Sequence, residues 1–148
     1  MWRWRADVGK FLADVTAWSD KALRNVDLVL KASAQDVGEL MQVRQASKKE
    51  TGTYVEGKVP VDKGVLVGSL RARLNGGTVA VGVVGQGIDM SAAVAGFEAG
   101  DVLEVAYTAG HARPMEYGSG TRPGRFFVRN AVIQWDAIVQ ANAARFKD

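Results

Sequence analysis

The residues best suited to chemistry are concentrated in one stretch, HARPMEYGSGTRPGRFFVR, from His111 to Arg129. It contains the only histidine of the chain, one glutamate, four arginines and three aromatic residues. Its glycines and prolines interrupt regular secondary structure, so the pattern predicts a loop between a last strand and a last helix. Loops held by rigid elements are where binding surfaces concentrate, which makes this stretch the first candidate for a functional surface.

Catalytic interpretations of these residues find little support in their spacing. A histidine-dependent nucleophilic site would need a distant serine and acid, and none stands at motif spacing. Asp62 and Glu116 can be interpreted as a carboxylate pair for acid–base work or magnesium binding. The favoured interpretation makes Asp62 a cap for a short turn beginning at Lys63. Glu116 is then expected to brace the loop through an ion pair with Arg113, Arg122 or Arg125. We predict no catalytic residue, metal or cofactor.

Nucleic-acid and nucleotide binding are weak alternatives. The arginines of the stretch can meet phosphates, but the aromatic residues that could stack on bases are limited to Tyr117, Phe126 and Phe127, and core packing claims the two phenylalanines. A net charge of +3 is well short of a dense basic stripe. The glycines of Gly82–Gly87 have the spacing Gly-x-x-Gly-x-Gly with no Gly-Lys-Ser/Thr after them, which argues against a phosphate loop.

Composition and length indicate one globular domain spanning residues 1–148. The absence of cysteine excludes disulfides and thiolate metal sites. The opening MWRWR lacks the apolar run of a signal peptide, and no segment approaches the ~20 apolar residues of a membrane span. Residues 1–7 are expected to form a flexible arm, whose Trp2 and Trp4 either pack locally or dock on a neighbouring subunit.

The elements that must position this stretch follow from apolar periodicity. Residues 8–42 predict one long helix, or two nearly collinear ones with a break at Ser19, because their apolar side chains form a stripe that a core would bury. Alternation predicts strands at Ser69–Leu74, Thr78–Val84 and Val102–Thr108, with Asn75 in the tight turn of a hairpin.

A short helix near residues 90–98 and a C-terminal helix over residues 125–146 complete the prediction. The expected fold class is α+β, with a small antiparallel sheet of three to four strands within residues 60–118. The long N-terminal helix and the C-terminal helix are expected to pack on this sheet through their Val26/Leu30 and Trp135/Ile138 faces.

Two short motifs stand in a fixed order between the helices. The first contains Pro60, Val61, Asp62, Gly64 and Ser69, and the second contains Ala112, Met115, Glu116, Tyr117 and Gly118. With the flanking helices, they resemble the neck or tail-completion (head–tail joining) proteins of long-tailed bacteriophages over most of residues 8 to 146. The chain departs from the family pattern at Lys63, where threonine is usual, and at His111, where tyrosine is usual.

The resemblance implies a structural virion protein at the head–tail interface, made in the host cytoplasm and without enzymatic turnover. It implies a homohexameric ring around the DNA channel, either a neck or tail-completion ring or a tail terminator, next to head-closure or connector proteins and tail-tube or terminator proteins. DNA would pass without sequence-specific binding, and no membrane would be involved. The alternatives are a nucleic-acid-binding or partner-binding module outside a virion, and an enzyme.

Specific roles for residues follow from this implied function. The inter-subunit or inter-ring contact loop would contain Arg113, Met115, Glu116, Tyr117, Gly118, Arg122 and Arg125, while Pro60, Asp62, Gly64 and Ser69 would form a structural motif. Gly64 and Gly118 are expected for backbone reasons, so Gly118→Val should cost about 1 to 2 kcal/mol or more if its φ is positive. Glu116→Ala is expected to leave the monomer folded and to impair assembly.

Overall fold

The computed structural model describes residues 8–46 and 55–147, and it confirms a mixed α+β fold. Residues 1–7, the predicted flexible N-terminal segment with Trp2 and Trp4, lie outside these described residues. The helices are α1 Val8–Leu40, α2 Val65–Gly68, α3 Met90–Val94, α4 Ala112–Tyr117, α5 Phe127–Val132 and α6 Trp135–Arg145. The strands are β1 Arg44–Ala46, β2 Val59–Val61, β3 Leu70–Leu74, β4 Gly77–Val81, β5 Leu103–Tyr107, β6 Gly118–Ser119 and β7 Arg122–Pro123.

The central sheet is antiparallel, as the alternating sequence predicts, and its strand order is β4-β3-β5. Strand β4 ends at Val81, before the predicted end at Val84. Its hairpin turn has positive φ at Asn75 (50°) and Gly76 (84°), the geometry that a tight two-residue turn requires. The Asn75 side chain also ties the turn to β5, because its Nδ2 donates to Asp101 and its Oδ1 accepts the Val102 N–H, both at 2.9 Å. Leu70 on β3 is fully buried and lies opposite Tyr107 of β5.

Two groups of buried apolar side chains form the core. The larger group joins β3 to α3 and to the C-terminal end of α1 through residues that include Leu70, Met90 and Met41. The smaller group consists of Val59, Leu66, Val67 and Phe127. It packs β2 and α2 against α5, and thereby brings together the two chain segments that carry the sequence motifs.

Helix α1 is continuous through Ser19, but only part of its apolar stripe is buried. Its C-terminal part packs against α3, α5 and α6, and Leu30 packs against the larger core group. Farther towards the N-terminus, Phe11 is 65% exposed and Trp18 is 72% exposed. The prediction that the whole stripe is buried is therefore wrong for one chain alone, because the sheet and the other helices cover only the second half of α1. Val26 is also exposed, whereas Ile138 is half-buried.

The predicted single C-terminal helix is two helices, α5 and α6, separated at Ile133 and Gln134. Apolar periodicity continues across this break and therefore does not reveal it. α6 packs on α1 through the buried Asn142, whose Nδ2 donates to Ser33 Oγ at 3.3 Å and to an Asp36 carboxylate oxygen at 2.9 Å. This polar contact satisfies an amide that would otherwise be buried without partners.

Tyr107 gives the core a titratable group. Its ring meets Phe127 edge to face at 5.1 Å between centroids, and its hydroxyl donates to the Met41 carbonyl oxygen. Burial, and then the nearby negative charge of Glu116, raise the pKa of Tyr107 well above its ordinary range. The neutral phenol is therefore the form that this fold accommodates.

We expect stability to fall as the pH rises above about 10, the pKa of an unfolded tyrosine, because the unfolded chain then releases a proton that folded Tyr107 retains. Urea unfolding at pH 8 and pH 10.5 checks this for the wild type and for Tyr107→Phe. At pH 8 the free energy of unfolding of the variant should be about 1 kcal/mol lower than that of the wild type, because the hydrogen bond to Met41 is lost. This difference should shrink at pH 10.5. Lysine titration affects both proteins equally. Parallel pH curves for the two proteins would contradict the assignment.

Candidate functional site

The two sequence motifs face each other across one cleft with a volume of about 490 Å³. One wall is the turn from Pro60 to Leu66, and the other is formed by residues between His111 and Arg125. Six residues predicted from the sequence border this cleft, namely Pro60, Asp62, Gly64, Met115, Arg122 and Arg125. The motifs are about 50 residues apart in the sequence, and the smaller core group holds them together.

The first wall depends on a close approach between two glycines. Gly64 has a φ of 76° and precedes α2, and its carbonyl oxygen accepts the Gly85 N–H at 3.0 Å. A Cβ atom at Gly64 would lie 2.5 Å from the Gly85 nitrogen. The expectation that Gly64 is present for backbone reasons is confirmed. The predicted cap at Asp62 is wrong, because Gly64 itself occupies the N-cap position and Asp62 is exposed at the cleft.

Ser69 connects the first wall to the sheet. It is buried, and its hydroxyl donates to the Leu66 carbonyl oxygen at 2.7 Å. Its own carbonyl oxygen accepts the Thr108 backbone N–H at 3.1 Å and the Thr108 hydroxyl at 2.8 Å. Ser69 therefore lies outside the cleft and fixes the position of α2 relative to the end of β5. This is a structural role, as the motif predicts.

The second wall is built around a buried carboxylate. Glu116, which is only 5% exposed, accepts the backbone N–H groups of Val128 at 3.0 Å and Arg129 at 2.8 Å. Those N–H groups belong to the first turn of α5 and have no acceptor within that helix. These two hydrogen bonds come from backbone groups, whereas the sequence predicts an ion pair with an arginine. Glu116 caps α5 from inside the protein, so its carboxylate is not presented to a neighbour.

The predicted loop from His111 to Arg129 is more regular than the sequence indicates. It contains α4 and a two-stranded ribbon in which Gly118 pairs with Pro123 and Ser119 pairs with Arg122. Gly118 has a φ of 92°, which confirms a backbone role for this glycine. The ribbon and the capped helix hold the wall in one conformation, because each is tied to α4 by backbone hydrogen bonds from residues 125 and 126.

Arg125 is also placed differently from the prediction. It is 2% exposed, and its guanidinium donates to Gln45 Oε1 at 3.0 Å and faces the Val55 carbonyl oxygen at 3.5 Å. Its backbone N–H donates to the Met115 carbonyl oxygen at 2.8 Å. The predicted presentation of Arg125 to a neighbouring subunit is wrong for this conformation, because the side chain joins the second wall to the segment after α1.

The accessible charges of the cleft are mainly basic. Lys63 and Arg122 are exposed along it, His111 is exposed beside them, and Asp62 is the one exposed acid among its lining residues. From the sequence, His111 is considered for a nucleophilic site and Lys63 as the start of a short turn, and both are noted as departures from the family pattern, but neither is placed in the contact surface. Their positions next to the motif residues could have indicated that they border the same site. Arg113 and Tyr117 are exposed but lie outside this lining.

The described residues offer few other sites for chemistry. Residues 8–46 and 55–147 contain no group of three or more His, Cys, Asp or Glu side chains arranged to hold a metal ion. Within the same ranges, no helix combines the length and the apolar character required to cross a membrane. The cleft is therefore the candidate site, because it combines residues of the predicted contact loop and structural motif with accessible side chains.

Comparisons of the chain with models of protein families, with curated proteins and with solved structures found no match.

Proposed function

We propose that this chain is a structural subunit of the head–tail connector of a long-tailed bacteriophage. It would assemble as a ring around the DNA channel and join the capsid to the tail by shape and charge. The proposal comes from the resemblance carried by the two sequence motifs. The observation that supports it most is that both motifs, distant in the sequence, form the two walls of one cleft.

The chemistry of the cleft suits a short acidic segment of a neighbouring subunit or ring. Its volume of about 490 Å³ is that of a site for a small ligand or for a few side chains. Leu66, Pro114 and Met115 give it apolar surface, while Lys63 and Arg122 supply accessible positive charge. Such complementarity favours correct partners and opposes wrong ones more than it adds affinity.

The walls are suited to recognition because they are held before a partner arrives. Glu116 fixes α5, Gly118 and Pro123 fix the ribbon, and Gly64 fixes the turn before α2. A preformed surface loses less conformational entropy on binding than a mobile loop does. The buried members of the predicted contact loop then support the cleft, and the exposed Arg122 makes the contact together with Lys63.

We expect the double variant Lys63→Glu/Arg122→Glu to fold normally and to reduce the yield of joined particles at least about tenfold, because like charges would face the acidic partner. The yield is measured by electron microscopy and infectivity of particles that carry only the variant. Arg113→Glu is the control, since it reverses an exposed charge of the predicted contact loop that lies outside the cleft. Wild-type yield from the double variant would refute the proposed role of the cleft.

The same double variant also distinguishes the connector from the alternative function, a nucleic-acid-binding module. If the basic side chains contacted phosphates, the purified double variant would bind DNA more weakly, and the salt dependence of binding would fall by about one unit per lost contact. For the connector we expect no such change in DNA binding, together with defective joining. Unchanged joining with weakened DNA binding would favour the module outside a virion.

A further inference from the structure

On the helices that the structure describes, two apolar surfaces have no partner within one chain. The first is the helical arm, defined as residues 8–21 of α1, whose stripe contains Val8, Phe11, Leu12, Val15 and Trp18, all exposed. The Lys10–Asp14 ion pair lies on the other side of the arm, as the 100° helical step requires. The arm is thus an amphipathic helix whose apolar side has no partner within the described residues.

The second surface is a groove between α1 and α6, with a volume of about 540 Å³. Its lining is mostly apolar and includes Val26, Val29 and Leu30 from α1, and Trp135, Val139 and Phe146 from α6 and its end. Arm and groove belong to the same stripe of α1, with the groove beginning near Ala22 where the arm ends.

The arm cannot fill the groove of its own chain. α1 runs without interruption from Val8 to Leu40, so the arm and one wall of the groove are parts of the same rigid helix. At 1.5 Å per residue, the arm extends on the order of 20 Å beyond the start of the groove. Whatever covers either surface must therefore come from another molecule or from residues outside the described ranges.

We infer that the arm of one copy docks in the groove of a second copy of this chain. Phe11 and Trp18 alone offer on the order of 250 Å² of exposed side chain. The five apolar arm residues and the groove together would bury on the order of 1,000 Å² counted on both partners, which is about the lower limit for a specific interface.

A second copy fits both surfaces at once, which is why it is the occupant. Each copy supplies one arm and one groove, so self-association covers both in equal number. The contact is heterologous, because arm and groove are different surfaces, and a heterologous contact can close into a ring. The purified chain is expected to make this contact whether or not it acts in a virion.

Disulfide trapping tests the contact, because the natural chain has no cysteine. Val15→Cys on the arm and Val139→Cys in the groove are prepared separately, one with a tag, and are then mixed under mild oxidation. We expect the mixed pair to form at least about tenfold faster than with Val132→Cys, an exposed valine of α5 outside the groove. Arm–arm pairs alone, or a mixed pair no faster than the control, would overturn the inference.

Sedimentation of the purified chain provides a test without cross-linking. Wild-type chain should associate at micromolar concentrations, and Phe11→Ser/Trp18→Ser should weaken association at least about tenfold, because exposed aromatic anchors dominate such interfaces. Ile133→Ser removes a side chain that is 70% exposed but belongs to neither surface, so it should leave association unchanged. A monomeric wild type, or an arm variant that associates as the wild type does, would overturn the proposal. Arm variants that fail to associate while the Lys63→Glu/Arg122→Glu variant still associates would separate this contact from the cleft.

Discussion

Glu116→Ala is expected to lower the free energy of unfolding by about 2 to 3 kcal/mol. The substitution leaves the N–H groups of Val128 and Arg129 without their acceptor at a partly buried helix end, and it removes a negative charge from the N-terminus of α5. Urea denaturation followed by circular dichroism measures the loss. The sequence had suggested a folded variant with a defect in assembly, whereas the structure indicates that folding is affected first.

Two variants complete the Glu116 experiment. Glu116→Gln keeps one acceptor oxygen without the charge and should lose only about 1 kcal/mol. Glu98→Ala removes an exposed carboxylate that caps no helix through its side chain in the described structure, and it should change stability by less than about 0.5 kcal/mol. Equal stability of Glu116→Ala and Glu98→Ala would show that the capping bonds contribute nothing.

Gly118→Val is expected to cost about 3 kcal/mol or more. At a φ of 92° and a ψ of 165°, the backbone of Gly118 lies in a region that is essentially restricted to glycine. A Cβ atom there would also lie 2.6 Å from the Arg122 carbonyl oxygen and 2.9 Å from the Gly124 nitrogen. The ribbon would have to open to admit the side chain, which adds to the strain expected from the sequence alone.

Gly120→Val separates these two contributions. Gly120 also has positive φ, at 57°, but a Cβ atom there would meet nothing within 4 Å. Its replacement should therefore cost only about 1 to 2 kcal/mol through backbone strain. Thermal or urea unfolding of both variants gives the difference, which reports the close approach in the ribbon. A Gly118→Val protein no less stable than Gly120→Val would mean that the ribbon yields without cost.

The sheet could be predicted from the sequence because its information is local. Alternating apolar residues define the strands, and Asn75 with the following glycine defines the turn. The residues that determine the hairpin are therefore adjacent in the sequence. The two-residue turn sets the first two pairs, Leu74–Gly77 and Arg73–Thr78, and an irregularity between Ala72 and Arg73 then shifts the register by one residue. The same reasoning placed a helix near residue 90, where the Asp89 carboxylate accepts the Ser91 N–H at 3.0 Å.

The site was harder to predict because its partners are backbone groups from distant segments. A glutamate among arginines suggests an ion pair, but Glu116 accepts bonds from a helix end that side-chain chemistry does not reveal. Likewise, the guanidinium of Arg125 meets Gln45, which is 80 residues away in the sequence. Periodicity predicted the amphipathic stripe of α1 correctly, but it contains no information on how far the rest of the fold extends along that helix.

The buried Asn142 has a further consequence for the pair of helices that it joins. Its amide reaches both Ser33 and Asp36, so sliding α6 along α1 by one turn would break both hydrogen bonds and bury the amide unpaired. Buried amides of this kind set the axial register of packed helices, as they do in coiled coils. The two helices that line the groove, α1 and α6, are thus held at a fixed axial position relative to each other within each chain. In the proposed ring, every subunit would then present α1 and α6 in the same relative position to its neighbour.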